Sequence, residues 1–274
     1  MSLLIIDSTA CKGCGICVQA CPVSIITIMG DAKIPFVSDE KEKRCVLCGH
    51  CESICPESAL KHTLLTGMQP LKENKLKEIN PENIGEYFRS RRSIRTFLPK
   101  KIENSVLEEV MDVVRYAPTG VNRQMNRWVV VSNAQTIRQL GEGVIAWMKA
   151  MIPVNPELAK RLNFVGLVTA FERGNDVICR HAPHLVIGYT EASYSAGSKD
   201  NAIAASHLEL LLPAFGLGGC WAGYLMIALQ FSPDLKKVIG LDDSYTVHSA
   251  LMVGYPKYRY FKTPQRKEAQ VKWI

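Results

Sequence analysis

From residue 80 onwards, apolar positions follow two alternating patterns. Some stretches carry an apolar residue every three or four positions, which is typical of amphipathic helices, and others are short apolar runs typical of buried strands. A polar cap followed by proline predicts three helix starts, at Asn80-Pro81, Asn155-Pro156 and Ser232-Pro233. Ser105 and Glu108 have the spacing of a capping box, which predicts a fourth helix start at Ser105. Because helices alternate with strands, we expect both to share one domain.

Shorter patterns predict the strands and one further helix. In the second part of the chain, strands are expected at Trp128–Ser132, His184–Tyr189 and Tyr245–Val253, and a long, mostly apolar helix over residues 199–215. The pattern does not fix whether these strands run parallel or in mixed order. Near the start of the chain, residues 2–6 and 25–28 are rich in β-forming residues, which predicts two short strands that pair.

A charged stretch over residues 67–79, which contains Gly67 and Pro70, predicts a linker. It divides the chain into a small domain over residues 1–66 and a larger domain over residues 80–274. A chain of 274 residues is long enough for each of these domains to bury a core of its own.

The segment Leu210–Leu229 contains no charged residue and is long enough to cross a membrane. Pro213 and several glycines break it into shorter pieces, which favours a buried helix, a glycine stop and a buried strand over a membrane span. The apolar surface of this segment would be costly to leave in water. The segment therefore also predicts a homodimer whose interface covers part of it.

Two cysteine runs dominate the first domain. The segments Cys11–Pro22 and Cys45–Pro56 each have the pattern C-x2-C-x2-C-x3-C-P. Thiolates are soft ligands, and eight of them in this pattern suit iron–sulfur clusters, with the fourth cysteine of each run binding the other cluster. We therefore predict two [4Fe–4S] clusters, one bound by Cys11, Cys14, Cys17 and Cys55 and the other by Cys45, Cys48, Cys51 and Cys21.

Zinc ribbons and disulfides are the alternatives for these cysteines. Zinc sites favour separated C-x2-C pairs rather than runs of four cysteines. The segment Met1–Asp7 has no basic region and only a short apolar run, so it predicts a strand rather than a secretory signal, which disfavours disulfides. Cluster chemistry needs a reducing compartment, and we expect a cytoplasmic protein. The other two cysteines, Cys179 and Cys220, are expected to be small buried apolar residues.

The net charge of +7 is unevenly distributed along the chain. Residues 1–66 carry six Lys or Arg against seven Asp or Glu, a net charge of −1, so the rest of the chain carries +8. A basic domain can bind nucleic acid, an alternative that predicts a continuous basic stripe with aromatic platforms. Here the charges are mostly dispersed, which favours a solvated surface with one anion site and no nucleic-acid partner.

Two local motifs suggest where such an anion would bind. Arg91, Arg92 and Arg95 place three guanidinium groups at the end of a predicted helix, and arginine suits bidentate phosphate binding. A solvated basic turn would give the same pattern. The segment Ala117–Gln124 is a proline–glycine loop with two amides, which can donate and accept at the edge of a flavin. Ordinary turn chemistry is the alternative for this loop.

These motifs carry two resemblances. Residues 1–66 resemble a bacterial-type ferredoxin with two [4Fe–4S] clusters. Residues 80–274 resemble the nitroreductase-like flavoproteins, through R-R-S-I-R at Arg91–Arg95, A-P-T-G-V-N-R-Q at Ala117–Gln124, G-L-G-G-C-W-A-G-Y at Gly216–Tyr224 and G-Y-P-K-Y at Gly254–Tyr258. The second resemblance implies an α+β fold, with a mixed sheet flanked by helices, and FMN bound at the interface of a homodimer.

The same resemblance implies which residues bind FMN. The phosphate and part of the ring would contact the basic segment, namely Arg91, Arg92, Ser93 and Arg95. The ring or the ribityl chain would contact Asn122 and Gln124, and backbone groups of Ala222 and Gly223 would face the isoalloxazine. Arg266 and Lys267 would add positive charge at the phosphate.

The amide loop departs from the resemblance at one point. Relatives often continue it as Q-P-W, whereas this chain has Gln124, Met125 and Asn126. That loop borders the substrate pocket, so the departure leaves the choice of substrate open but not the binding of FMN.

Taken together, the two resemblances imply an iron–sulfur flavoprotein oxidoreductase. An external low-potential donor, such as a ferredoxin-type protein, would supply electrons through the clusters to FMN. An organic acceptor would then receive them, with nitroaromatics, quinones and activated alkenes as the expected classes. No protein general acid is assigned, and no G-x-G-x-x-G motif predicts a separate nicotinamide site. The alternative is a non-catalytic electron carrier or flavin reservoir, which a capped flavin would favour over an open cleft.

Overall fold

The computed structural model describes residues 2–30, 33–65, 67–72, 75 and 78–274. The contacts within the chain divide it into two compact units. The first consists of Met1–Ile79 and Val121–Arg123, and the second of Asn80–Gly120 and Gln124–Ile274. Thr66, at the end of the predicted small domain, lies outside the described residues, as do four residues of the predicted linker, Glu73, Asn74, Leu76 and Lys77.

The first unit is built from short elements. In chain order they are β1 (Leu4–Ile6), α1 (Ile16–Ala20), β2 (Thr27–Met29), β3 (Ile34–Phe36), α2 (Asp39–Glu42), α3 (His50–Ser53) and β4 (Leu60–His62). The strands form two antiparallel pairs, β1 with β4 and β2 with β3. A small core of Leu3, Leu4, Ile25, Ile26, Val37, Cys51 and Leu60 fills the unit, and several cysteines pack against it.

The expected pairing of the two early strands is wrong, although both strands form. Strand β2 pairs instead with β3, which follows it closely in the chain. Gly30 begins the connection between them with a φ of 72°, a conformation that glycine adopts without steric cost. A local hairpin of this kind closes a short loop, so β2 pairs with its neighbour and leaves β1 for β4.

The second unit contains longer helices around one sheet. Its elements are α4 (Pro81–Ser90), α5 (Asn104–Val114), β5 (Arg127–Val131), α6 (Ala134–Val154), α7 (Pro156–Arg161), α8 (Phe164–Glu172), β6 (His184–Glu191), α9 (Gly197–Leu211), β7 (Gly218–Trp221), α10 (Gly223–Phe231), α11 (Pro233–Val238) and β8 (Tyr245–Gly254). The strand order is β5-β6-β8-β7. Every pairing among these described strands is antiparallel, where a mixed sheet was expected. The α+β class itself is as predicted.

Both faces of this sheet are buried by helices. Leu185 and Ile187 of β6 pack with residues of α6, α8 and α10, whereas Val186, between them, packs with residues of α5 and α9. Alternate residues of a strand point to opposite faces, so a sheet covered on both sides needs apolar residues at successive positions. This explains the continuous apolar runs from which β6 and β8 were predicted.

Three of the four predicted helix starts are confirmed. The side chains of Asn80, Asn155 and Ser232 each accept a hydrogen bond from a backbone N–H three residues later. The capping box at Ser105 is wrong. Helix α5 begins at Asn104 after an extended Glu103 that makes no side-chain cap. Ser105 is already helical and so cannot take the extended backbone that a cap residue needs.

The uncharged segment Leu210–Leu229 divides as its glycines and proline predicted. It contains the end of α9, a 3₁₀ turn at Leu212–Phe215, strand β7 and most of α10. Leu212, Leu225 and Leu229 are fully buried within the second unit. Pro213 and Ala214 are nevertheless exposed, and Phe215 and Ile227 are half-buried, so the homodimer expected from this segment stays a prediction. Within the described part of the chain, no helix combines the length and the apolar character needed to cross a membrane.

Candidate cofactor sites

The eight cysteines of the two runs line two cavities in the first unit. One cavity is lined by residues that include Cys11, Cys14, Cys17 and Cys55. The other is lined by residues that include Cys21, Cys45, Cys48 and Cys51. Each cavity thus combines three thiols of one run with the fourth thiol of the other run, and none of the cysteines is in a disulfide.

Glycines shape both cysteine runs so that the thiols converge. Gly15 and Gly49 have φ angles of 73° and 71° and precede α1 and α3 at equivalent positions in the two runs. Only glycine adopts this conformation routinely. Among the described residues, no three His, Cys, Asp or Glu side chains are close enough to hold a single metal ion. In a four-iron cluster each thiolate binds a different iron, so its four sulfurs stand further apart than the ligands of one ion.

Three thiols of these cavities are poor acids without metal. Burial raises the pKa of the Cys51 thiol to about 11, and burial also raises the pKa values of Cys17 and Cys45. Backbone N–H groups oppose the effect, since those of Glu52 and Leu47 lie near the sulfurs of Cys51 and Cys45. Because metal binds the thiolate, loading iron into these cavities must release protons. The chemistry of four soft donors around each cavity fits an iron–sulfur cluster.

The second unit contains a cavity rich in arginine. It has a volume of about 590 Å³ and is lined by Phe88, Arg89, Arg91, Arg92, Thr263, Pro264, Gln265 and Arg266. The structure thus brings Arg91 and Arg92, at the end of α4, together with Arg266 from the far end of the chain. No acidic residue lines this cavity, among the residues that the structure describes. Four guanidinium groups around one cavity suit a phosphate.

Hydrogen bonds fix part of this cavity in advance. The guanidinium of Arg91 donates to Glu209 at 2.8 Å, and the indole of Trp221 donates to the other carboxylate oxygen of Glu209 at 3.1 Å. Arg92 donates to the carbonyl of Arg89. Glu209 lies between Leu208 and Leu210 in α9, and an acidic residue within such an apolar stretch is the signal that could have identified it as a positioning residue from the sequence.

Ile94, within the basic segment, pairs with β7. The backbone N–H of Ile94 donates to the carbonyl of Gly219 at 2.9 Å, and a Cβ on Gly218 would collide with the Ile94 side chain. Ser93 is therefore held beside the glycine-rich strand. Arg95 and Lys267 are exposed, and neither lines the arginine cavity.

The start of α10 is open on one side. Ala222 is anchored by its N–H, which donates to the carbonyl of Ala250 at 2.8 Å, and Gly223 follows as the first helical residue. A Cβ on Gly223 would meet no atom within 4 Å. The first N–H groups of a helix lack partners within the helix. This position therefore combines open space with free backbone donors, as the predicted contact with a flat ring requires.

The amide loop has an unusual backbone. Val121, Asn122 and Gln124 have φ angles between 51° and 53°, in the left-handed region that a β-branched residue such as Val121 rarely occupies. The backbone N–H of Gln124 donates to the Thr119 hydroxyl at 3.0 Å. Strain of this kind persists where the surrounding structure holds it, and it is frequent in ligand-binding loops.

Asn122 belongs to a different unit from the other predicted FMN residues. It belongs to the first unit, where its amide donates to the carbonyls of Val46 and Leu47 at 3.0 Å each. These carbonyls lie between Cys45 and Cys48. Gln124 belongs to the second unit, and its side chain is exposed.

Two side chains missed by the sequence reasoning hold the amide loop. The buried carboxylate of Asp200, in the first turn of α9, accepts hydrogen bonds from the N–H of Gly120 at 3.0 Å and 3.1 Å and from the Tyr194 hydroxyl. Asn126 donates to the carbonyl of Asp200 and accepts from the Asn201 amide. The departure at Asn126 is therefore a half-buried polar anchor. An Asp in a mostly apolar helix was the available signal for Asp200.

Comparisons with known proteins match both units. The Nitroreductase family model matches residues 88–255, and the 4Fe-4S dicluster domain model matches residues 10–60. A ferredoxin of Methanocaldococcus jannaschii is 40% identical over 58 residues, which are 20% of this chain and 87% of that protein. A protein of Archaeoglobus fulgidus named as a candidate NADH dehydrogenase/NAD(P)H nitroreductase is 23% identical over 168 residues, 61% of this chain and 82% of that protein.

A solved structure shares the fold of the second unit. A nitroreductase from Bacteroides fragilis, solved with bound FMN, superposes with a TM-score of 0.57 at 20% identity, covering 72% of this chain and all of that one. Both resemblances stated from the sequence are thus confirmed. With the family model spanning well over half of its length, this chain belongs to the nitroreductase family and carries a ferredoxin-type 4Fe–4S dicluster domain before that fold.

Proposed function

We propose that this chain is an iron–sulfur flavoprotein oxidoreductase that carries electrons from an external low-potential donor, through two [4Fe–4S] clusters, to FMN and on to an organic acceptor. The observation that carries the proposal is the division of eight thiols into two cavities of four, in one chain with a nitroreductase fold. In such a combination the clusters can deliver electrons to the flavin. A flavin domain that is reduced only by a diffusing hydride donor would not need them.

FMN is the flavin that the second unit fits. The arginine cavity offers guanidinium groups for one terminal phosphate, and the open side of Gly223 leaves room for a flat ring near backbone donors. The nitroreductase of Bacteroides fragilis was solved with FMN, which supports the same choice here. Arg91, Arg92 and Arg266 would bind the phosphate, and Ser93 and Gly223 would border the ring. Asn122, Gln124, Arg95 and Lys267 remain predicted contacts.

Bound clusters exchange single electrons, and FMN converts between single-electron and electron-pair chemistry. The protein's own contribution is to hold and orient these groups. Glu209 keeps the Arg91 guanidinium in place, and the anchored Ala222 presents the free N–H groups of α10. Acceptors that can take an electron pair directly from a flavin, such as nitroaromatics, quinones and activated alkenes, are the substrate classes we infer.

A homodimer remains part of the proposal, and the C-terminal residues support it in addition to the Leu210–Leu229 segment. Residues 257–274 form no helix or strand, and their aromatic side chains are exposed, with Phe261 at 85% and Trp273 at 89%. Apolar groups of this size are costly to leave in water, and a second copy of the chain would cover them. The cytoplasm is the compartment we infer, because thiolate-bound clusters need reducing surroundings.

Anaerobic reduction of the purified protein tests the proposed function. A reduced ferredoxin, NADH and NADPH are each added while the flavin absorption band is followed, and the reduced protein is then mixed with a panel of quinones, nitroaromatics and activated alkenes. We expect the ferredoxin to bleach the band and at least one acceptor class to restore it over many turnovers. A protein that contains no iron, or a flavin that no acceptor in the panel reoxidises faster than buffer, would contradict the proposal.

A further inference from the structure

His62 occupies a core position in the first unit. It is the last residue of β4, opposite Leu4 of β1, and only 3% of it is exposed. Leu60 and His62 both face inwards, while Lys61 between them is exposed. An apolar residue would be ordinary at such a position, since a buried polar group is costly unless it is hydrogen-bonded. The backbone N–H of His62 donates to Glu52 at 2.7 Å, which fixes the place of this residue.

Both ring nitrogens of His62 have partners, and these partners determine the tautomer. Nδ1 accepts a hydrogen bond from the backbone N–H of Leu64 at 3.1 Å, so it carries no proton. The proton of a neutral ring is therefore on Nε2, which lies 3.5 Å from Sγ of Cys45. His62 thus directs an N–H donor at the Cys45 sulfur.

The internal repeat supplies a comparison for this contact. His62 is the seventh residue after Cys55, and Ile28 is the seventh residue after Cys21, at the equivalent position of the first run. The two segments share one backbone feature, since Ser24 and Ser58, three residues after those cysteines, both have a φ of 51°. Ile28 directs hydrocarbon towards Gly15, which lines the cavity of Cys11, Cys14, Cys17 and Cys55. The repeat therefore places a side-chain donor beside one cysteine run and an alkyl side chain at the equivalent sequence position beside the other run.

Resting on the proposed function, we propose that His62 donates a hydrogen bond to the Cys45 thiolate and so raises the reduction potential of the cluster bound by Cys21, Cys45, Cys48 and Cys51 above that of its counterpart. The two halves of the repeat would then differ in function. The cluster with the His62 donor would be reduced first, and the cluster near Ile28 would need the stronger reductant.

The physical reason lies in where the added charge goes. Reduction of a cluster by one electron makes its thiolate sulfurs more negative, with no bond formed or broken. A fixed N–H donor stabilises the more negative state more than the oxidised one, so the potential rises. An alkyl group offers no such stabilisation. The donor is preorganised, because Leu64 and Glu52 hold the ring and backbone of His62 whether or not the cluster is reduced.

An EPR-monitored redox titration of the full-length holoprotein with dithionite, at one fixed pH, tests this inference. The variants are His62→Ile, which copies Ile28, His62→Gln, which keeps an amide donor at a similar distance, and Ile28→Leu as the matched control. We expect two resolved reduction steps in the wild type. In His62→Ile the higher step should shift down towards the lower one, whereas His62→Gln should recover most of the shift and Ile28→Leu should change neither step.

A second measurement needs no variant at position 62. Protein labelled with ¹⁵N-histidine and reduced to its first step should show a ¹⁵N coupling in pulsed EPR that persists in His50→Gln, a variant of the other histidine in the first unit near this cavity. Full iron content with no such coupling, or with both steps unchanged in His62→Ile, would overturn the inference and leave the proposed function standing. A protein without iron would overturn both.

Discussion

At the scale of single residues, the arginine cavity leads to a prediction about the binding of the FMN phosphate. Arg92 lines this cavity and, among the residues that the structure describes, has no carboxylate partner of the kind that Arg91 has in Glu209. A charge-assisted hydrogen bond contributes about 1.5–3 kcal/mol. We therefore expect Arg92→Ala to weaken FMN binding by roughly ten- to a hundredfold, with the fold intact.

Fluorescence titration of the flavin-free protein with FMN measures this change, and circular dichroism checks the fold. Arg138→Ala is the matched control, because Arg138 is an exposed arginine whose partner is Glu142 on the next turn of α6. Equal affinities of Arg92→Ala and the wild type would show that the phosphate binds elsewhere. FAD rather than FMN in the extracted cofactor would also contradict the assignment.

Asp200 gives a second prediction, on stability. Its carboxylate is buried, and its two oxygens share the hydrogen bond that the N–H of Gly120 donates. Asp200→Ala would leave that N–H without an acceptor inside the protein, which costs about 1–3 kcal/mol of unfolding free energy. Asp200→Asn keeps an acceptor oxygen and should lose less. Urea unfolding measures both, with the exposed Asp234→Ala as control. An Asp200→Ala variant as stable as the control would remove Asp200 as the anchor of the amide loop.

At the scale of elements, the sequence patterns succeeded where one local rule decides the structure. The cap–proline pairs at Asn80, Asn155 and Ser232 each begin a helix, because the cap needs only its own next turn. The capping box at Ser105 is wrong because Glu103, two residues earlier, occupies the extended cap position. The partner of β2 was missed for a different reason, since β-forming composition indicates that a strand forms but not which strand it meets.

In the candidate sites too, the sequence identified residues in local motifs but not their partners in space. The family motifs led to Arg91, Arg92 and Arg266. The structure brings these three to one cavity, although Arg266 is far from the other two in the sequence. They could not indicate Glu209 or Asp200, whose roles depend on a helix packing against those motifs. Nor could they indicate His62, because its importance lies in one sulfur contact across the fold. Residues that bind a cofactor lie in recognisable motifs. Residues that position those binding residues are marked only by a polar side chain where an apolar one is expected.

The two cysteine runs, taken as elements, make a prediction that separates crossed from uncrossed ligation. Cys11 and Cys55 line the same cavity, whereas Cys11 and Cys21 line different ones. The double variant Cys11→Ser/Cys55→Ser should therefore lose one cluster and keep about four of about eight iron atoms. Cys11→Ser/Cys21→Ser should damage both clusters. Iron analysis and EPR spin counting measure the difference. If each run bound its own cluster, the two double variants would exchange their behaviour.

At the scale of the whole molecule, the proposed function divides the chemistry between the two units. Electron transfer through clusters needs no substrate pocket, whereas a flavin that reacts with an organic molecule needs open space, as the side of Gly223 offers. Loss of a cluster should therefore abolish the entry of electrons without harming the reaction at the flavin. The test uses the full-length protein, because Asn122 of the amide loop makes its hydrogen bonds within the cluster-binding unit.

Cys45→Ser is the variant that tests this division of labour. It removes one thiolate from the cavity of Cys21, Cys45, Cys48 and Cys51. We expect it to retain FMN, and to be reoxidised by a quinone or nitroaromatic at the wild-type rate after photochemical reduction. Turnover driven by a reduced ferredoxin should fall at least tenfold, equivalent to about 1.4 kcal/mol or more in the barrier. Cys220→Ser, a buried thiol outside the two cavities, is the control. Unchanged ferredoxin-driven turnover in Cys45→Ser, with iron analysis confirming the loss of a cluster, would show that this cluster is structural and that electrons reach the flavin without it.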